Sequence, residues 1–173
     1  MDLVHKMGLK FKNLDRLIEL FYEYPNRKFT IRELAKLAKL PKSTVHKYLQ
    51  ELKKEGLVTN ENCAASTLLF KTKKTNYYIE KIVKSGLIDY LKEKLVPSCI
   101  ILFGSFRKGE SEKASDIDIF VETTRSEPDL KSFERKLGHK IQLFLEPDIN
   151  QLPEHLFNNV VNGIKLWGFF KIK

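Results

Sequence analysis

An α+β fold is predicted, with a helical first half and a small mixed β-sheet flanked by helices in the second. Three observations predict it. Apolar residues recur at helical spacing from Leu14 to Leu52, punctuated by capping signals. Three apolar runs, Cys99–Phe103, Ile117–Val121 and Lys140–Leu145, have the length of strands. Between the second and third runs lies a stretch with Phe133 and Leu137 four apart, so helices alternate with strands.

Composition narrows the class of partner. The chain has 173 residues, 42% hydrophobic and 31% charged, which suits a globular protein. Its formal charge of +9 is unevenly placed. Residues 1–90 hold 18 Lys+Arg against 10 Asp+Glu, a net of +8, whereas residues 91–173 hold 13 against 12. The excess in the first half points to a polyanion, with nucleic acid the default. Cys63 and Cys99 are the only cysteines and lack metal-ligand spacing, so neither a disulfide framework nor a zinc site is expected. No signal peptide and no apolar run of about 18 residues is visible, so a cytoplasmic location without a membrane is expected.

In chain order, Leu14, Leu17, Ile18, Leu20 and Phe21 give a first helix that stops near Tyr24-Pro25. Thr30 followed three residues later by Glu33 reads as a capping box for a second helix, Ile31–Lys39. Pro41 and Ser43 open a third, with Val45, Tyr48, Leu49 and Leu52 as its apolar stripe and Gly56 at its end. Leu57-Val58 leaves as a short strand. A single helix over 79–96 follows, with Gly86 as a kink, and Pro97 ends it. The predicted domains are therefore 1–80 and 97–173, joined by a linker helix at 81–96. A last helix near Pro153–Asn162 carries Leu156, Val160 and Val161, and Gly163 leads to a short apolar end.

The first half, Asn13 to about Tyr78, resembles a winged helix-turn-helix. The resemblance makes the third helix the recognition helix. Lys42, Ser43, Thr44, His46 and Lys47 on its early exposed face would then reach base edges and phosphates of DNA. The resemblance makes Thr59–Tyr78 the wing hairpin, which would bring Lys71, Lys73 and Lys74 to phosphates, contacts that position without specifying sequence. A protein-interaction role is the alternative for such a module. A homodimer through the 79–96 helix is a further expectation.

The second half is organised around Gly104-Ser105-Phe106-Arg107-Lys108-Gly109 and Ser115-Asp116-Ile117-Asp118. Asp116 and Asp118 are two apart on a predicted strand, so both carboxylates point to one face. Two close like charges call for a cation between them, and a divalent ion with oxygen ligands fits best. Gly104-Ser105 ends the preceding strand in a glycine turn whose backbone can approach an anion closely.

These motifs resemble the minimal nucleotidyltransferase domain of the DNA polymerase beta superfamily, over roughly residues 91–170. Gly104-Ser105 stands at the family's Gly-Ser, Gly109 at its later glycine, and Ser115-Asp116-Ile117-Asp118 at its Ser-Asp-x-Asp. Leu156–Trp167 is similar to its closing helix and small final strand. The resemblance implies nucleotide binding by Gly104, Ser105, Gly109 and Ser115, with Arg107 and Lys108 available to phosphate charge. It implies that Asp116 and Asp118 are catalytic and ligate Mg²⁺, with ATP the first nucleotide to test and a hydroxyl acceptor that can belong to a partner protein.

One residue departs from the pattern. The family's third carboxylate falls on the next strand, where this chain has Gln142 in Ile141-Gln142-Leu143-Phe144. An amide offers a neutral oxygen to a metal but takes no proton at neutral pH. Glu146 shares its parity but lies about 13 Å further along, at about 3.3 Å per residue. The predicted function is a DNA-binding protein whose second domain binds nucleoside triphosphate with Mg²⁺ and transfers a nucleotidyl group. The alternative is a catalytically impaired, nucleotide-sensing transcriptional regulator.

Overall fold

The computed structural model describes residues 3–126 and 128–173, with side chains described from Asn13 onward. The chain forms two compact units, one up to Lys71 and one from Thr72 to Lys173. Among the described residues, no helix is long and apolar enough to cross a membrane. Cys63 and Cys99 are both free thiols.

In the first unit, helix α1 (Leu3–Glu23) buries Leu17, Ile18, Phe21 and Tyr22. Helix α2 (Ile31–Ala38) begins with the expected capping box. The Thr30 hydroxyl accepts from the Glu33 amide at 3.2 Å, and the Glu33 carboxylate accepts from the Thr30 amide at 2.8 Å. This satisfies two of the amide donors that a helix start leaves open. Helix α3 (Lys42–Lys54) buries the four residues of its predicted stripe, Val45, Tyr48, Leu49 and Leu52. Gly56, at φ +70°, then turns the chain in a conformation that a side chain disfavours.

The expected wing over 59–78 is much shorter. Val58 and Ala64 form one antiparallel bridge, Thr59 N donates to Cys63 O at 2.8 Å, and Ala65 N donates to Leu57 O at 2.9 Å. The chain is already helical at Leu68, in α4 (Leu68–Lys84). The reason is a stripe of period four: Phe70, Lys74, Tyr78 and Ile82 are all buried. A lysine in that stripe masks the helix in the sequence. The single helix expected over 79–96 is likewise two, α4 and α5 (Leu87–Leu95). Gly86 separates them at φ +84°, a break rather than a kink.

The second unit holds a four-stranded sheet of β1 (Cys99–Leu102), β2 (Ile117–Glu122), β3 (Ile141–Glu146) and β4 (Ile164–Gly168), in the order β3-β2-β1-β4. Strand β1 is antiparallel to both β2 and β4, whereas β2 and β3 are parallel. Helix α7 (Lys131–Leu137) makes the crossover that a parallel pair requires. Cys99, Ile101, Phe103 and Phe120 form one buried face, covered by Ile149, Leu152 and Val160, the last from α8 (Glu154–Val161). Gly163 permits that closure, because a β-carbon there would lie 2.4 Å from Ile101 Cγ2.

Candidate functional site

The site lies where β1 ends and β2 and β3 begin. All four residues of β1 are buried, which anchors the strand. Phe103 N donates to Asp118 O at 3.0 Å, so the chain reaches Gly104 directly beside Asp118. Gly104 adopts φ +68°, and a β-carbon on it would sit 2.0 Å from Asp118 Oδ2. Only glycine leaves room for that carboxylate. Gly104 and Asp118, 14 positions apart in the chain, thereby join the two motifs into one site.

The expected glycine turn at 104–109 is a short helix, α6 (Gly104–Lys108). Gly109 closes it at φ +69°, and Glu110 N donates to Ser105 O at 2.9 Å. Phe106 points into the core, while Arg107 and Lys108 are exposed and Ser105 is half-buried. Phe106 sits edge-on to Tyr78 at 4.7 Å and to His139 at 4.9 Å. The Thr75 hydroxyl lies 3.2 Å from both Phe106 O and Arg107 O, carbonyls at the end of α6.

Lys74 lies in the same support. It is 1% exposed, and its ammonium donates to Ser111 O. Burial pulls it down to about 8, against the opposing pull of Glu112 and Glu110. The expectation that Lys74 contacts DNA phosphate is therefore overturned, since a side chain this buried meets no external phosphate. Lys71 and Lys73 stand on α4 rather than on a return strand, Lys73 exposed and Lys71 half-buried. On α3, Lys42, Ser43, His46 and Lys47 are exposed and Thr44 is half-buried.

The acids occupy the first residues of the β2 segment. Asp116 is exposed just ahead of the strand, and Asp118 is half-buried within it. Burial raises the Asp118 carboxyl above its ordinary range, and the Asp116 charge adds to this. The Ser115 hydroxyl accepts from Glu112 N at 2.8 Å and so staples the turn before Asp116. His139, 5% exposed, places Nδ1 3.0 Å from Ser115 O. A carbonyl only accepts, so Nδ1 carries the proton there. Ile117 N donates to Lys140 O at 2.8 Å. Asp116 is thus bracketed, with residues 139 and 140 holding its neighbours on both sides.

Gln142 is the register partner of Asp118 in the parallel pair, so both side chains stand on the same face. Glu122 and Glu146 pair at the far end of the same strands. Glu122 is occupied there, accepting from the Ser98 hydroxyl at 2.8 Å. Among the described residues, no group of three or more His, Cys, Asp or Glu side chains could hold a metal ion. The hard oxygen set of Asp116, Asp118 and the Gln142 amide fits Mg²⁺, which is bound through one or two carboxylates together with substrate phosphates. Burial is the main cause of the raised Asp118 carboxyl, and the smaller contribution of the Asp116 charge is one that a cation would relieve.

Sequence reasoning missed Lys74, Thr75 and His139 as supports of the site. Their partners lie 24 to 37 residues away, beyond any local pattern.

Comparison with known families agrees with this geometry. Residues 84–166 match the nucleotidyltransferase domain family. Residues 16–61 match the IclR helix-turn-helix domain. The chain thus joins an IclR-type helix-turn-helix to a C-terminal nucleotidyltransferase domain. No curated protein and no solved structure matches it.

Proposed function

We propose that the C-terminal domain binds a nucleoside triphosphate, ATP first among them, with Mg²⁺ at Asp116 and Asp118, and transfers its nucleotidyl group to a hydroxyl acceptor. The observation that carries this reading is the packing of the Asp118 carboxylate against Gly104, which brings phosphate-binding backbone and acids together. Ser105 and the backbone after Gly104 hold the phosphates, and Arg107 and Lys108 are placed to offset their charge. Bound Mg²⁺ supplies the neutralisation that in-line displacement at phosphorus needs. His139, through Ser115, keeps Asp116 in position. The helix-turn-helix fits DNA binding through the exposed face of α3 and directs the activity to a location.

The acceptor's proton is the weak point of the set. Gln142, beside Asp118, cannot accept it. That observation favours a second reading, in which the domain senses a nucleotide without turning it over. The two are separated by incubating the protein with labelled ATP and Mg²⁺, with and without lysate proteins as acceptors. Labelled product that disappears with Asp116→Ala and Asp118→Ala supports transfer. Magnesium-dependent ATP binding with no product at any protein concentration supports sensing.

A further inference from the structure

The nucleotidyltransferase unit has a depression of about 530 Å³, lined by Lys131, Glu134, Arg135, Gly138, His139 and Lys140. Its volume suits a nucleotide-sized group. The lining carries three cations and one acid. The Glu134 carboxylate is taken by the start of β3, accepting from Ile141 N at 3.0 Å. Lys131, Arg135 and Lys140 make no side-chain ion pair among the described residues. A fourth cation stands at the rim, with Lys113 Nζ 3.9 Å from where a β-carbon on Gly138 would be. Cations gathered around a concave space create a positive potential that an anion relieves.

Its position gives the depression a role. His139 bonds Ser115, and Lys140 bonds Ile117, the residues on either side of Asp116. Two of the residues that line the depression are therefore the ones that hold the neighbours of Asp116.

We propose that this depression is an anion subsite that seats a phosphate group of the acceptor beside Asp116. The proposal rests on the transfer reading above. Phosphate matches better than carboxylate, because its several oxygens can be shared among three cations from two segments, whereas a carboxylate is satisfied by one Arg fork. The shared chemistry has two sources, a small phosphorylated molecule or a polynucleotide.

The test uses the full-length ¹⁵N-labelled protein, with the backbone amides of Gly138, His139 and Lys140 as reporters. Inorganic phosphate, a short 5′-phosphorylated oligonucleotide and an oligoglutamate peptide are titrated in turn. Both phosphate probes are expected to shift these amides. A Lys131→Ala, Arg135→Ala, Lys140→Ala variant is expected to bind them at least about ten-fold more weakly. Its Mg²⁺–ATP affinity stays at the wild-type value. Saturation by inorganic phosphate alone identifies a small acceptor, and saturation only by the oligonucleotide identifies a polynucleotide. The proposal is overturned if neither probe shifts the reporters, if the shifts survive in the triple variant, or if oligoglutamate binds as well. Loss of the transfer reading is seen separately, as Mg²⁺–ATP binding that ignores Asp116→Ala and Asp118→Ala.

Discussion

Replacing Gly104 with alanine tests the geometry of the site directly. Two effects add. The residue sits at φ +68°, where a β-carbon costs about 1–2 kcal/mol. That β-carbon would also fall 2.0 Å from Asp118 Oδ2, whereas ordinary contact begins at 3.4 Å, so the carboxylate must retreat by about 1.4 Å. A displacement of about 1 Å at a reacting centre can reduce rate by about 10²-fold. Gly86→Ala provides the control, because Gly86 is at φ +84° with nothing within 4 Å of its added carbon. Both variants are expected to lose about 1–2 kcal/mol in urea unfolding, as a lower midpoint at unchanged slope. Only Gly104→Ala is expected to weaken Mg²⁺–ATP binding, by about ten-fold or more. Calorimetric titration of both variants decides the matter. If Gly104→Ala binds Mg²⁺–ATP as Gly86→Ala does, the packing of Asp118 against Gly104 does not organise the site, and the reasoning fails.

The remaining predictions concern the supports and the departures. Lys74 has its ammonium lowered from 10.5 to about 8 by burial, so the charged lysine penalises the fold below pH 8 and the penalty fades as pH rises toward 10.5. The wild type is expected to gain up to about 1 kcal/mol between pH 8 and 9, and Lys74→Met to show no such rise; parallel stability curves refute it. The window stops at 9 because burial raises the Cys99 thiol from 9.0 to about 12, which lowers stability as pH rises further. Gln142→Asp restores a third carboxylate beside Asp118 and is expected to raise nucleotidyl transfer by about 10²-fold, the scale of one general base. An unchanged rate with Mg²⁺–ATP bound shows that the missing acid is not limiting. Lys42→Ala with Lys47→Ala, both exposed on α3, is expected to lower the slope of log affinity for duplex DNA against log salt by about 2. A slope unchanged from wild type places the DNA face elsewhere.

Much of this was legible where local rules act alone. The Thr30–Glu33 box and the stripe of α3 are short-range patterns, and tertiary packing agrees with them. Gln142 stands out through the resemblance, as the residue at the place of a third carboxylate, and the parallel register sets it beside Asp118. Failure came where a residue takes a partner far away. Lys74 interrupts the apolar stripe of α4 with a charge, so periodicity does not correct the wing hairpin that the resemblance implies over 59–78. The lysine is tolerated there because Ser111 O, 37 residues on, accepts a hydrogen bond from its ammonium. The bond from His139 to Ser115 spans 24 residues and leaves no periodic trace. Gly104–Lys108 looked like a turn because five residues are too few to display a helical stripe.

The central claim is that Gly104-Ser105 and the two aspartates form a Mg²⁺-dependent nucleotide site. Its most direct measurement is a calorimetric titration of ATP into wild type and into Asp116→Asn with Asp118→Asn, each with and without Mg²⁺. Both substitutions keep the shape and remove the charge. Wild type is expected to bind ATP only with Mg²⁺, and the double variant to bind at least about 100-fold more weakly, a loss of about 2.7 kcal/mol. Equal affinity in the two proteins, or no binding to wild type at about 1 mM ATP, contradicts it.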